Sequence, residues 1–326
     1  MRDLIIFRNK SGDLGLFQRE GDEVHYIVYP TAESPISITD DISSWNSWSI
    51  NFDIGTKKGD PKEITPEAIG FFLARKARIN TNVVELHIVK YPGSYYPRMS
   101  RKNIGFNHVS PSFLQDMRAY QNIQSSLDNL FNFIEPVEIN LKTYGHKIRE
   151  LLILACTEVE YLLLKALTEN GYKEKSRYST LDYVHCRDLL KLNQYEAKLI
   201  QYSHLKVFAP FKDWSNEKGK STESIPWYDA YNRVKHNRSD NISHANLEHL
   251  LDAVAAIHIL LESQYGARIF QGLFSAPEYK SLFSTLTSPE WELHEITAPI
   301  LATERAYYSV KTEWLNPRKY FEDYPC

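Results

Sequence analysis

One run constrains the fold of this chain more than any other: residues 149–167, RELLILACTEVEYLLLKAL. Its first half is apolar almost all the way round, a pattern a helix tolerates only when neighbours cover every side, so it is expected at the centre of a bundle. The spacing predicts a helix from about Tyr144 to Glu169, ended by Gly171 in the position that favours glycine. Two further long helices are predicted. Phe113 to Phe133 carries apolar residues at Phe113, Leu114, Met117, Tyr120, Ile123, Leu127, Leu130 and Phe131, one stripe at three-four spacing, and Pro136 stops it. The third runs from Ser243 or Ala245 to Tyr265, with Leu247, Leu250, Leu251, Val254, Ile257 and Leu261 turned inward and Gly266 at its end. Shorter helices are expected over Thr180–Leu192 and Gln194–Tyr202. Residues 112–266 thus read as a compact helical domain.

Residues 1–110 follow a different period. Leu4–Phe7, Val24–Tyr29, Trp48–Ile54 and Val83–Tyr91 are short β-branched or aromatic runs punctuated by Gly, Asp, Asn and Pro, and one helix beginning at Thr65–Pro66 and reaching Arg78 interrupts them. This predicts a small α+β domain, with Trp45 and Trp48 as packing residues. The Pro- and Tyr-rich stretch Tyr91–Arg101 marks the boundary. Residues 267–326 leave the bundle pattern. Tyr307–Trp314 is strand-like, and Trp291, Trp314, Tyr320 and Phe321 supply docking side chains, so this extension is expected to pack back on one of the domains. The fold class is α+β, strand-rich first and all-α second.

The 326 residues are 43% hydrophobic and 24% charged, the composition of an ordinary globular chain, and a formal charge of −3 confines any nucleic-acid contact to a local patch. No run approaches the ~20 apolar residues of a membrane span, and the N-terminal apolar run is too short for a signal peptide. Cys156, Cys186 and Cys326 show no paired spacing, so a reducing, cytoplasmic setting without disulfides is expected.

That local patch is found in residues 224–251, SIPWYDAYNRVKHNRSDNISHANLEHLL. Ser224 is placed to cap a helix whose first turn holds Pro226. At about 100° per residue, Asn232 lies about 40° and Arg233 about 60° from His236, so the three share a face, flanked by Lys235 and Arg238. An imidazole beside an amide and several cations can hold a phosphodiester and move a proton. His244 and His249 read as a cap-region and a surface histidine, and His258 as a hydrogen-bonded core residue. Glu158 and Glu160 either face solvent or find a cation from residues 231–238. None of the 13 glycines forms a GxGxxG or GxxxxGK[ST] loop, and HExxH, CxxC and GxSxG are missing, so nothing signals a metal or cofactor.

The apolar helix RELLILACTEVEYLLLKAL, the aromatic entry PWYDAYN, the motif YNRVKH and the helix ANLEHLLDAVAAIHILL together resemble the HEPN superfamily of nucleotide-binding helical domains, closest to a bacterial branch with a YNxxKHxR signature, over roughly residues 145–266. The resemblance implies a helical bundle and a metal-independent endoribonuclease of the toxin, abortive-infection or phage-defence kind. It also implies homodimerisation through the helical domain, with RNA and an antitoxin or defence protein as partners. It carries catalytic roles to Asn232 and His236 alone; Arg233 joins the catalytic set, and Tyr231, Lys235 and Arg238 the substrate-binding set, from their places on and beside the helix and not from the family motif. Tyr231 stands where the family motif has arginine, and the alternative is a non-catalytic HEPN module that binds RNA, a nucleotide or a partner protein.

Overall fold

A computed structural model describes residues 2–21, 23–29, 45, 63–77, 81–102, 111–270, 279–306 and 309–326. In chain order these form β1 (Arg2–Asn9), β2 (Leu14–Glu20), β3 (Glu23–Tyr29), α1 (Pro66–Phe72), β4 (Val83–Ile88), β5 (Ser94–Tyr95), α2 (Pro111–Phe131) and α3 (His146–Glu169). They continue with α4 (Thr180–Leu189), β6 (Glu196–Leu199), α5 (Pro226–His236), α6 (Leu247–Tyr265), β7 (Phe283–Thr287), β8 (Ile300–Ala306), β9 (Ser309–Glu313) and β10 (Asn316–Pro317). The chain divides into two compact units, each discontinuous: Met1–Tyr95, Lys102–Asn107 and Trp291–Arg318 in the first, and Tyr96–Arg101, His108–Glu290 and Lys319–Cys326 in the second.

The first unit is built on an antiparallel sheet of order β3-β2-β1-β4. Side chains alternate across a strand, and both faces of this sheet are covered, which is why LIIF in β1 is uninterruptedly apolar. Ile5 and Phe7 join Phe17, Tyr26, Trp45, Ile69 and Phe72 on one face. Leu4 and Ile6 join Leu16, Ile27, Trp291, Leu293 and Leu301 on the other. Gly15 lies opposite Phe7, and a Cβ there would sit 2.1 Å from the Phe7 ring, so the pairing requires glycine. Thr65 caps α1 by accepting from the Ala68 amide at 3.1 Å, and the helix widens into a π turn over Leu73–Ala77. Strand β2, whose LGLFQRE pattern is weakly alternating, is an addition to the sequence expectation. The expected strand Trp48–Ile54 lies outside the described residues, as does Trp48, whereas Trp45 is a packing residue against Phe17 at 5.2 Å. Hairpin β8–β9 and the parallel pairing of β5 with β10 complete this unit, and Trp314 meets Tyr95 edge-on.

The second unit is helical, with the β6–β7 ribbon as its one described two-stranded element. The helix enclosed on every side is α6, in which each residue from Ala253 to Tyr265 is buried. This corrects the expectation that residues 149–167 occupy the centre: on α3, Leu154 is 49% and Tyr161 37% exposed. Thr157 and Lys165 break that run often enough to leave one outer stripe, while Leu152, Val159, Leu163 and Ala166 face the core. Gly266, at φ +97°, closes α6 by donating its amide to the Glu262 carbonyl. A second correction concerns Gln194–Tyr202. It forms a short 3-10 turn and then β6, because Ala197 and Leu199 find pairing partners in β7, far away in sequence.

Tyr96–Arg101 is pinned into this unit by two buried arginines with left-handed backbone, at φ +56° and +35°. Arg98 donates to Asp116 Oδ2 (2.8 Å), Gln264 Oε1 (2.9 Å) and Ser112 Oγ (2.5 Å), and Arg101 to the Leu189 carbonyl (2.9 Å). The extension also returns here: Phe321 donates its amide to the Asn170 carbonyl, and Tyr96 its hydroxyl to Asp323. Among the described residues no helix is long and apolar enough to cross a membrane.

Candidate functional site

Helix α5 carries the residues singled out from sequence. Pro226 opens it at N1, where no amide proton is needed. Ser224 is not its cap, contrary to expectation. The N-cap is Ile225, and the Ser224 hydroxyl instead accepts from the Ser215 amide (2.9 Å) and donates to the Ser221 carbonyl (3.2 Å), closing the preceding loop. Trp227, Tyr228, Ala230, Tyr231 and Val234 form the buried face, with Trp227 Nε1 donating to the Pro210 carbonyl at 2.9 Å. Arg233, Lys235 and His236 occupy the last turn, where positive charge complements the helix dipole. Arg149 of α3 donates from Nε and Nη2 to the Val234 carbonyl at 3.1 and 3.0 Å, satisfying an acceptor the helix end leaves open. The chain then breaks at Asn237 and makes a single turn over Arg238–Asn241.

The polar side chains of this helix fall into two sets. In the engaged set, Arg233 Nε donates to Asp229 Oδ2 at 2.7 Å, one turn back. Tyr231, 1% exposed, accepts from Lys235 Nζ at 2.7 Å, and its ring lies 4.8 Å beneath the same ammonium. Its hydroxyl donates to Glu160 Oε2 over a long 3.4 Å, while Tyr228 donates a short hydrogen bond to Glu160 Oε1. Burial, and then Glu160, push the Tyr228 phenol far up, so it stays a proton donor. In the free set, half-buried Asn232 and exposed His236, joined by exposed Arg238 of the following turn, make no side-chain hydrogen bond or ion pair among the described residues. Asn232, Arg233 and His236 share the outward face, as their spacing predicts. Lys235 leans toward Tyr231.

Glu160 therefore finds two tyrosine hydroxyls rather than a cation, with Lys235 one hydrogen bond further on. Glu158 follows neither expected path cleanly: it is half-buried, and burial, then repulsion from Asp116, push its carboxyl up to about 7 against the pull of Arg98. Sequence reasoning missed Arg149. Arg149 and Glu160 are eleven positions apart, about three turns, so the sequence puts them on one stripe of α3, but that this stripe meets α5 is seen only in the packing.

The remaining histidines are placed differently. His249 Nδ1 sits 2.8 Å from the His244 carbonyl oxygen, and burial lowers the His249 pKa. His258 is fully buried, stacked on Phe270 at 4.8 Å, and bonded at both nitrogens: Nδ1 to Ser281 Oγ (2.9 Å) and Nε2 to Thr285 Oγ1 (3.0 Å). Thr285 donates to Glu262, and Tyr120 meets Ser281 at 2.7 Å. Burial lowers His258 to about 3 and raises Glu262 to about 7. With Glu262 ionised, the donors have one consistent order. Thr285 gives its proton to the carboxylate, so it accepts from Nε2–H, and Nδ1 accepts from Ser281, which in turn accepts from Tyr120. His258 is thus a core residue, as its apolar setting predicts. No group of three His, Cys, Asp or Glu among the described residues is arranged to hold a metal ion. All three cysteines are free.

Comparison with protein families, with curated proteins and with solved structures finds no match to this chain.

Proposed function

We propose that the helical unit is a HEPN-like, metal-independent endoribonuclease of a bacterial toxin or defence system, acting through the outward face of α5. The observation that carries this reading is the free pair on α5, an unengaged imidazole at His236 and an unengaged carboxamide one turn earlier at Asn232, on a helix whose other polar side chains are nearly all committed, followed by the unengaged guanidinium of Arg238 in the next turn. Exposed polar groups without a protein partner are ordinarily solvated, and an imidazole and a carboxamide one turn apart on one helix face are accessible to a ligand. In this reading His236 takes the proton of the RNA 2′-hydroxyl as it attacks the adjacent phosphorus, or returns one to the departing 5′-oxygen, leaving a 2′,3′-cyclic phosphate. Asn232 orients the phosphate, and Lys235, Arg238 and Arg233 offset the developing charge. Arg233 contributes least, being already paired with Asp229. Incubating the purified chain with mixed RNA in EDTA, beside His236→Ala, tests it: chelator-insensitive cleavage that the substitution abolishes is expected, and intact RNA in both lanes rejects the activity.

Binding without cleavage is the second reading, favoured by one observation: Tyr231, at the position where the resemblance has arginine, is turned inward onto Glu160. It predicts salt-sensitive RNA affinity without product. Homodimerisation through the helical unit belongs to the same proposal, supported by the exposed Leu154 and Tyr161 two turns apart on α3. Sedimentation of the wild type beside Leu154→Glu checks it, a shift from dimer to monomer being expected. An antitoxin-like partner protein is proposed on the resemblance alone.

A further inference from the structure

We infer that Tyr231 and Glu160 are positioning residues that hold Lys235 as the phosphate-facing cation of the site. This rests on the RNA reading above. An exposed lysine is a mobile point charge on a four-carbon stem, and fixing it costs rotamer freedom. Lys235 is exposed, yet its Nζ is held twice by one side chain, through the hydroxyl at 2.7 Å and over the ring face at 4.8 Å. The two residues are one helical turn apart, the spacing at which side chains meet.

Direction matters as much as distance. The Tyr231 hydroxyl has one proton, and Glu160 takes it. That leaves the phenolic oxygen as an acceptor toward Lys235, so the ammonium commits one of its three protons and keeps two for phosphate oxygens. Glu160 is itself fixed by Tyr228 and lies on α3, so the lysine is referenced to a second helix rather than to α5 alone. The hydrogen bond to Tyr231 raises the Lys235 pKa, against a smaller opposing effect of burial, so the group stays charged. The tyrosine that stands where arginine was expected therefore does not delete a cation from the site; it returns one four residues later, and holds it.

The test combines RNA binding with an RNA-independent probe. Anisotropy of a labelled single-stranded RNA is measured for wild type, Tyr231→Phe, Glu160→Gln, Lys235→Met and the Tyr231→Phe/Lys235→Met double variant, each checked by thermal melting. Lys235→Met is expected to weaken binding about tenfold and to reduce the salt slope by about one. Tyr231→Phe and Glu160→Gln should each weaken it several-fold, and Tyr231→Phe should add nothing once Lys235 is gone. An equal loss from Tyr231→Phe in both backgrounds, or no loss at all, overturns the positioning role, and if Tyr231→Phe does not fold, Glu160→Gln decides alone. In the free protein, a slowly exchanging lysine NH3+ resonance, assigned by its disappearance in Lys235→Met, should be seen in wild type and lost in Tyr231→Phe. Wild type without RNA affinity overturns the functional reading; the same NH3+ behaviour in wild type and Tyr231→Phe overturns the inference whatever the RNA does.

Discussion

His236 and His258 lie 22 positions apart in one helical unit and have opposite surroundings. His258 is buried, stacked, and bonded at both nitrogens to hydroxyls that lead on to Tyr120 and Glu262. His236 is exposed at a helix end and has no side-chain partner among the described residues. A histidine that is fully satisfied has no capacity left for a substrate, and one lowered to about 3 cannot exchange a proton near neutrality. His236 is therefore accessible to a ligand in a way that His258 is not.

The largest expected effect lies on the exposed side. His236→Ala should lower RNA cleavage by about 10²- to 10⁴-fold with an unchanged melting temperature, and a fall in melting temperature would erase the contrast with His258. The converse substitution, His258→Ala, should destabilise the chain by about 3 kcal/mol, because Ser281 and Thr285 lose a buried partner, while cleavage per folded molecule is retained. Denaturant melts with activity normalised to the folded fraction check both.

The pH dependence of the buried pair sharpens this further. An unfolded-chain histidine protonates near 6.5, the folded His258 near 3, so the unfolded state takes up the proton first and this contribution to stability is lost as pH falls through that window. Glu262 works with the opposite sign: held protonated to about 7, it contributes fully below the unfolded value of about 4.3, and that contribution is lost as pH rises toward 7. The two offset each other between about 4.3 and 6.5. The stability advantage of wild type over His258→Gln should shrink as pH falls from about 6.5 toward 3, because Glu262 is common to both proteins and cancels in the difference, measured by urea melts at several pH values. Arg149→Ala should cost about 1.5 kcal/mol by uncapping the helix end that presents His236, and lower cleavage with it. His249→Ala, an intermediate case with one backbone contact, should cost about 1 kcal/mol and leave cleavage unchanged.

The long helices were legible because their apolar periods run over many residues. Pro111–Phe131, His146–Glu169 and Leu247–Tyr265 begin and end within a few positions of the sequence expectation. Periodicity misjudges which helix is enclosed: the run in α3 reads as central and α6 as one-sided, yet the packing encloses α6 and leaves α3 an outer stripe. Gln194–Tyr202 misled for another reason. Four residues of β6 depend on a partner strand some ninety positions on, which no local pattern contains. The face shared by Asn232, Arg233 and His236 follows from helix geometry alone. The meeting of Lys235 with Tyr231, one turn apart on α5, is open to the same geometry, whereas the contribution of Arg149 requires knowing how α3 lies against α5.

The two-faced sheet of the first unit has a consequence for synthesis. One of its faces, formed by Leu4, Ile6, Leu16 and Ile27, is covered by Trp291, Leu293 and Leu301, and Gln18 makes both of its amide bonds to Leu301 across 283 positions. The second unit likewise takes Phe321 against Asn170. On a ribosome, β1 to β3 emerge before the helical unit but stay open on one side until Trp291 to Leu301 has followed it. A nascent chain halted before Trp291 carries that face uncovered, so these strands are sheltered only after the helical segment between them and their cover has been made.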